Sequence, residues 1–202
     1  MIFLLLMKKV KLLSFIVVPF ISSNITAQQK PYYYNIPDTP KIYTATAVAA
    51  RMVDGLGFRY FWATEGLRDK DLSFRPSDSA RSSFETLQHI YDLTLILMNA
   101  VSNKPNDFAN TKLPDSFTEL REQTLQHIRT ASEILKQPGA KLEDFNMVFT
   151  GQAGKEKDFP FWNLINGPVS DALWHIGQVV SFRRSSGNPI PEGVNVLTGT
   201  KD

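Results

Sequence analysis

A carboxylate and an imidazole stand four residues apart late in the chain, in the stretch Asp171-Ala-Leu-Trp-His175-Ile-Gly-Gln178. Side chains at positions i and i+4 of a helix lie one above the other on the same face, so they can share one ligand. A third candidate, His89, lies far upstream in a separate stretch with helical periodicity. Two imidazoles and a carboxylate converging from two helices can hold a divalent ion with open coordination positions. The pattern therefore predicts a metal site of His89, Asp171 and His175.

Each of these three residues also has a purely structural interpretation. His175 follows Trp174 and can be a core histidine that bonds a neighbouring carbonyl. His89 flanks the apolar stripe of its own helix. Asp171 can act in the first turn of a helix that restarts at Pro168, where a carboxylate is favoured by the helix dipole. Both interpretations remain open at the level of sequence.

Other residues can support such a site. Gln178 lies one turn beyond the histidine and can orient a ligand or a bound water, or else serve in helix packing. Glu65 ends the first helix and is the candidate catalytic residue, as a general base or as a partner of a ligand; the alternative is a solvated terminal glutamate. Trp62 and Trp174 can line a pocket, although aromatic residues at helical spacing usually belong to the core. His127 lies beside the apolar stripe of the third helix and is a weaker candidate.

The N-terminus has the order of a secretory signal peptide. Lysines at positions 8, 9 and 11 precede an apolar run over residues 12–21, and small residues lead to Ala27. This order predicts a leader over residues 1–27 with cleavage after Ala27. The apolar run is too short to cross a bilayer, which takes about 20 such residues. We therefore expect an exported protein, periplasmic or secreted, that meets the membrane only during export, and a single mature domain over residues 28–202.

Charge and cysteine content narrow the function classes. Loss of the three leader lysines from the 22 basic residues leaves 19 against 20 acidic residues, a net charge of about −1. A chain near neutrality, without a long basic run, lacks the electrostatic basis for nucleic-acid binding. The chain has no cysteine, so thiolate nucleophiles, disulfides and thiolate metal sites are excluded. Any metal must be held by histidine and carboxylate.

Four helical stretches organise the rest of the chain. They cover residues 41–65, 79–101, 116–137 and 162–186, the last with a break or restart at residues 167–168. Residues 141–160 are the least regular segment, with a short strand or flap at 145–149 and a polar turn at 151–157. Helices of this length around a long third connection predict an all-α, antiparallel four-helix bundle.

With the helices assigned, the chain resembles the DinB-like superfamily of four-helix bundles. The resemblance rests on Trp62-Ala-Thr-Glu-Gly-Leu67 leading to Asp71-Leu-Ser-Phe-Arg-Pro76, on Leu87-Gln-His89-Ile, and on Asp171-Ala-Leu-Trp-His175-Ile-Gly-Gln178. Metal-binding members typically use one histidine on the second helix and a His-x-x-x-His pair on the fourth. The resemblance thus implies His89 and His175 as ligands, with Asp171 in place of the other histidine, and a cofactor ion such as Zn, Ni, Mn or Fe.

Two classes of function follow. The first is a divalent-metal-dependent, hydrolase-like enzyme that acts on a small molecule. The second is a non-catalytic bundle with a degenerate metal site that binds a small apolar ligand or a protein partner near Trp62 and Trp174. The resemblance also implies a possible homodimer. The sequence does not decide whether the protein is an enzyme.

Overall fold

The computed structural model of the chain describes residues 30–38, 41–150 and 156–202. Its helices are α1 (Ala45–Thr64), α2 (Asp69–Ser73), α3 (Ser83–Val101), α4 (Phe117–Leu135), α5 (Phe161–Leu164) and α6 (Ser170–Ser185). Its strands are β1 (Met147–Thr150), β2 (Glu156–Phe159), β3 (Val194–Asn195) and β4 (Thr200–Lys201). The predicted leader, residues 1–27, and the predicted cleavage position lie outside the described residues.

Four long helices pack around one apolar core, which confirms the predicted all-α four-helix bundle. Helix α1 packs on α4, α4 on α3, α3 on α6, and α6 closes the ring on α1. The largest fully buried apolar side chains come from three of the long helices and α5; they include Leu56, Phe58, Tyr60, Leu87, Ile90, Leu97, Leu120, Ile128 and Leu164. None of the described helices is both long enough and apolar enough to cross a membrane.

Helices α1 and α4, the first and third long helices, run antiparallel. Arg121, in the first turn of α4, donates from Nε to Thr64 Oγ1 at the end of α1, 2.9 Å away. At the opposite end Lys136, which follows α4, donates to Asp54 Oδ2 in the middle of α1. Later residues of α4 therefore contact earlier residues of α1, so the two helices run in opposite directions.

Helices α3 and α4 are neighbours that run in the same direction. The Tyr91 hydroxyl donates to Gln123 Oε1, 3.0 Å away, and Thr94 Oγ1 lies 3.4 Å from His127 Nδ1 one turn further along both helices. Parallel neighbours require the chain to return the length of the bundle between them. The connection over residues 102–116, between α3 and α4, spans this distance.

Two helix starts differ from the predicted ones. Helix α1 begins at Ala45, where Thr44 Oγ1 accepts from the Ala47 amide, instead of at residue 41. Helix α3 begins at Ser83 instead of residue 79. Its N-cap Ser82 accepts from the Glu85 amide while the Glu85 carboxylate accepts from the Ser82 amide. This reciprocal capping satisfies two otherwise unpaired amides, so it determines where the helix starts.

The fourth predicted helix is continuous where a break was expected. A π-helical turn, Ile165–Val169, contains Pro168 and joins α5 to α6. A wider turn accommodates a proline, which lacks an amide hydrogen and would crowd the carbonyl of the preceding turn in a regular helix. The turn lies directly before Asp171 and therefore determines the orientation of α6 at the candidate site.

A small hairpin replaces the single strand predicted before α5. Strands β1 and β2 pair antiparallel, with Met147 opposite Phe159 and Thr150 opposite Glu156. Part of the predicted polar turn is thus the strand β2, and residues 151–155 of that turn lie outside the described residues. Asn106 joins the hairpin to the end of α3, because its amide donates to Val148 O.

The segment before α1 is attached to the bundle by a buried carboxylate. Asp54 is 1 % exposed. It accepts from the Tyr33 hydroxyl at 3.2 Å and from the Lys136 ammonium. The Tyr33 ring lies so close to Gly57 that a β-carbon there would overlap it. A glycine at 57 is therefore what allows the tyrosine to reach Asp54.

We expect Gly57→Ala to lower the free energy of unfolding by roughly 1–3 kcal/mol, because the new methyl group must displace the Tyr33 ring. Urea denaturation of the two proteins measures this difference. Gly177→Ala is the matched control, since a β-carbon at Gly177 meets nothing within 4 Å. That change should stabilise the helix by roughly 0.5–1 kcal/mol. Equal effects of both substitutions would contradict the proposed role of Gly57.

Candidate metal centre

The three predicted ligands come together between α3 and α6. His89 lies in the second turn of α3, whereas Asp171 and His175 lie one turn apart at the start of α6. Both α6 residues face α3, since the His89 and His175 rings meet edge to face with centroids 4.7 Å apart. The i, i+4 spacing predicted for Asp171 and His175 is realised on one helix face.

The Asp171 carboxylate lies between the two imidazoles. Its Oδ2 is 3.4 Å from His89 Nε2, and its Oδ1 is 3.3 Å from His175 Nε2. One ligand atom from each of the three residues lies within 4.8 Å of the others. The group is partly open, with side-chain exposures of 30 % for His89, 44 % for Asp171 and 14 % for His175. An ion here would be accessible from solvent on one side.

The donor set and its spacing fit a divalent ion. Ligand atoms that surround one tetrahedral ion at about 2.1 Å are roughly 3.4 Å apart. Each histidine Nε2 lies at about this distance from a different Asp171 oxygen, Oδ2 for His89 and Oδ1 for His175. Two imidazoles and one carboxylate suit Zn, Mn, Fe and Ni. Three protein ligands also leave at least one coordination position open. The structure thus contains a possible His/Asp/His metal-binding group, and the chemistry of the donors does not select among these metals.

Gln178 contacts His175 directly. Its Oε1 lies 2.7 Å from His175 Nδ1. An amide oxygen only accepts, so in this arrangement Nδ1 donates and Nε2 is the ring nitrogen left for the ligand group. Nε2 faces a carboxylate oxygen across 3.3 Å. Either a proton on Nε2 or a metal ion between the two atoms stabilises this contact.

His89 is favoured in its neutral form. Burial is the largest cause that lowers its pKa below the usual value, and the positive charges of His175 and Arg81 lower it further. Asp171 opposes this shift. A neutral imidazole is the form that ligates metals. Arg81 was not singled out from the sequence; its only signal there was its place before the Ser82-x-x-Glu85 capping box.

Glu65, the candidate catalytic residue, is not part of the group. Its Oε2 accepts from Arg121 Nη2 at 2.5 Å. It follows the end of α1, near the level of Arg183, which donates to the carbonyls of Trp62 and Ala63. Arg183 lies eight residues after His175, about 12 Å along the helix axis. The structure therefore does not bring Glu65 to the group, because Glu65 pairs with α4 at another level of the bundle.

Trp62 and Trp174 differ in burial and in their contacts. Trp62 is buried, donates from Nε1 to Tyr34 O, and lines a cavity between α1 and α6. Trp174 is 73 % exposed and is not among the residues that line this cavity. The structure thus places Trp62, but not Trp174, at this cavity. Helical spacing could not reveal this, since position 174 points away from both α1 and α3.

His127 is separate from the ligand group. It packs on the Tyr91 ring, with centroids 4.9 Å apart, in the interface between α3 and α4. Burial lowers its pKa to about 4. The core interpretation of this histidine therefore holds within the described residues.

The neutral His127 gives the fold a dependence on pH. Its pKa is lower in the folded state than the usual value of about 6.5, so the unfolded chain takes up a proton first as pH falls. Stability should decrease from about pH 6.5 to about pH 4, by up to about 3 kcal/mol from this group. We expect His127→Phe, which keeps a ring beside Tyr91, to lose less stability than the wild type between pH 7 and pH 4. Urea titrations at both pH values test this, and identical losses would contradict it.

The fold and the convergent ligands together define a four-helix bundle with a candidate His/Asp/His metal site between its second and fourth long helices. No protein-family model matches the chain, and no curated protein matches it. The chain is similar in structure to a DinB-like protein from Bacillus subtilis, with 18 % identity and a TM-score of 0.49. The match covers 70 % of this chain and 95 % of that chain. At this identity and TM-score, the similarity transfers no family, residue role or activity to this chain.

Proposed function

We propose that the protein is an exported, divalent-metal-dependent enzyme of hydrolase type that acts on a small molecule. The observation that carries this proposal is the convergence of His89, Asp171 and His175 to within 4.8 Å of one another from two helices. The spacing matches the geometry of an ion with three protein ligands and an open position.

Each residue of the group would contribute differently to binding the ion. An ion bound here acts as a Lewis acid and activates a nucleophile near neutral pH. His175 presents Nε2 because Gln178 holds Nδ1. Asp171 supplies the negative charge, and burial keeps His89 neutral. The exposed side of the group leaves room for a substrate to approach.

The small-molecule substrate and the exported location rest on the sequence. A leader pattern over residues 1–27 supports a periplasmic or secreted destination. A mature charge near −1 argues against nucleic acid as the substrate. The resemblance also implies a second reaction type, the transfer of a group to a low-molecular-weight thiol. Hydrolysis is preferred for an exported protein, because such thiols are mainly cytoplasmic.

Elemental analysis tests the metal requirement. The purified protein would be exposed in turn to Zn, Mn, Fe and Ni, freed of excess ion and analysed for bound metal. We expect about one ion per chain in the wild type, from the three-ligand geometry, and little in Asp171→Ala. Asp115→Ala is the matched control, since Asp115 pairs with Lys112 on the exposed surface. Helical content by circular dichroism checks each fold. A metal-free wild type would contradict the proposal. It would favour the second class of function, a non-catalytic bundle that binds a small apolar ligand or a protein partner.

A further inference from the structure

A cavity of about 430 Å³ lies between α1, α6 and the chain after α6. It is on the side of α6 opposite the metal group, because Leu173 and Ile176 line it while His175 faces α3. The remaining lining residues are Phe58, Arg59, Trp62, Ala63, Gly177, Val180, Arg184, Ile190, Val194 and Val196. Most of these side chains are apolar, as in small-molecule sites of this size.

Gly177 gives independent evidence that this space is open. It lies inside α6 with ordinary helical geometry, and a β-carbon there would meet nothing within 4 Å. A glycine inside a helix costs roughly 0.5–1 kcal/mol relative to alanine. No close contact or positive φ angle requires a glycine at this position. Its effect is to keep the wall of the cavity clear.

The charges at the cavity are of one sign. Arg59 and Arg184 line it, and no aspartate or glutamate does. The Arg59 guanidinium donates to Gly55 O at 3.0 Å and Val196 O at 3.4 Å. The exposed Arg184 side chain makes no hydrogen bond or ion pair with any residue in the part of the chain that the structure describes. An apolar cavity with an unneutralised guanidinium at its edge fits a ligand with an apolar body and a negative head.

A second, larger cavity lacks this character. It has a volume of about 730 Å³ and lies between α1 and α4. Its two arginines already have partners, since Arg121 pairs with Glu65 and Arg129 with Glu133. An anion there would have to displace a carboxylate, so the smaller cavity is the better anion site.

We propose that the cavity between α1 and α6 binds an amphipathic carboxylate, with its hydrocarbon body against Trp62, Ile176 and Val180 and its carboxylate on Arg184. Burial of the hydrocarbon supplies most of the affinity, and the guanidinium–carboxylate pair selects the head group. This site is distinct from the metal group and does not depend on the proposed hydrolase function.

Calorimetric titration of the full chain in the presence of a chelator tests the head-group selectivity. The probes are octanoate, 1-octanol and octylammonium, which share one hydrocarbon chain. We expect octanoate to bind about tenfold more tightly than octanol, with octylammonium the weakest, as one charge-assisted pair provides. Arg184→Gln should remove the preference for octanoate and leave octanol unchanged. Arg81→Gln, which changes an exposed arginine that does not line the cavity, should alter neither. Equal binding of octanoate and octanol by the wild type, or no binding, would overturn the proposal.

A second variant tests the location of the apolar body. Gly177→Leu should occupy part of the cavity, since a β-carbon at Gly177 meets nothing within 4 Å, and reduce the affinity for both octanoate and octanol at least about tenfold. Gly177→Ala, which adds one methyl group, should have a smaller effect. Circular dichroism and thermal unfolding check that both variants fold. Unchanged octanoate binding in a folded Gly177→Leu protein would show that the ligand binds elsewhere. Metal content is read separately, so failure here leaves the hydrolase proposal standing.

Discussion

His175→Ala should lower the affinity for a divalent ion about 100- to 1000-fold. Structural zinc sites with four ligands are worth about 10–16 kcal/mol, or roughly 3 kcal/mol per ligand, and each 1.4 kcal/mol is tenfold in affinity. His175 also contacts both other members of the group, through Asp171 at 3.3 Å and the ring of His89 at 4.7 Å. Under the proposed hydrolase function, its loss should also abolish turnover. Competition with a chromogenic chelator measures the affinity at neutral pH.

Two further variants serve as comparisons for the effect of His175→Ala on metal affinity. Gln178→Ala keeps all three ligands but releases His175 Nδ1, so we expect a 10- to 100-fold loss of affinity, the usual effect of removing such a partner. His127→Gln removes a histidine that packs on Tyr91 and is not part of the group, so it should leave the metal affinity unchanged. An undiminished affinity in a folded His175→Ala protein would exclude the site as described.

Arg183→Met should lower the free energy of unfolding by roughly 3–5 kcal/mol, the largest effect on stability that we expect for a single residue. Arg183 is 2 % exposed. Its Nη1 donates to Trp62 O and Ala63 O, both at 3.0 Å, and its Nε donates to Asn188 O at 2.6 Å. The two bonds from Nη1 satisfy carbonyls at the end of α1 that have no partner within the helix. Methionine fills the volume but leaves those carbonyls unpaired.

The neighbouring residue supplies the control. Arg184 is exposed, so Arg184→Met should change stability by less than about 0.5 kcal/mol. Arg183→Lys should recover only part of the loss, because a single ammonium cannot reach carbonyls on two sides as the planar guanidinium does. Urea denaturation of all three proteins provides the comparison. A loss below 1 kcal/mol for Arg183→Met would mean that water replaces the guanidinium at little cost.

Local patterns in the chain were sufficient to predict the four long helices and the bundle class. Apolar residues at helical spacing depend on neighbours within a turn or two, so they can be read without knowledge of the fold. The same holds for Asp171 and His175, since i, i+4 spacing places both on one face whatever the helix packs against. The capping pair Ser82 and Glu85 was also recognisable in the sequence, although the helix was predicted to start earlier, at residue 79.

Contacts between distant residues depended on the packing of the helices. His89 is separated from His175 by two helices and a hairpin, and only the packing of α3 on α6 brings their rings to 4.7 Å. Glu65 was a reasonable candidate by its position after α1, but the antiparallel packing of α4 places Arg121 beside it. The exposure of Trp174 and the open space at Gly177 likewise follow from which face of α6 meets α1. Periodicity identifies the buried face of a helix, whereas the partner, direction and level of that face are set by the tertiary structure.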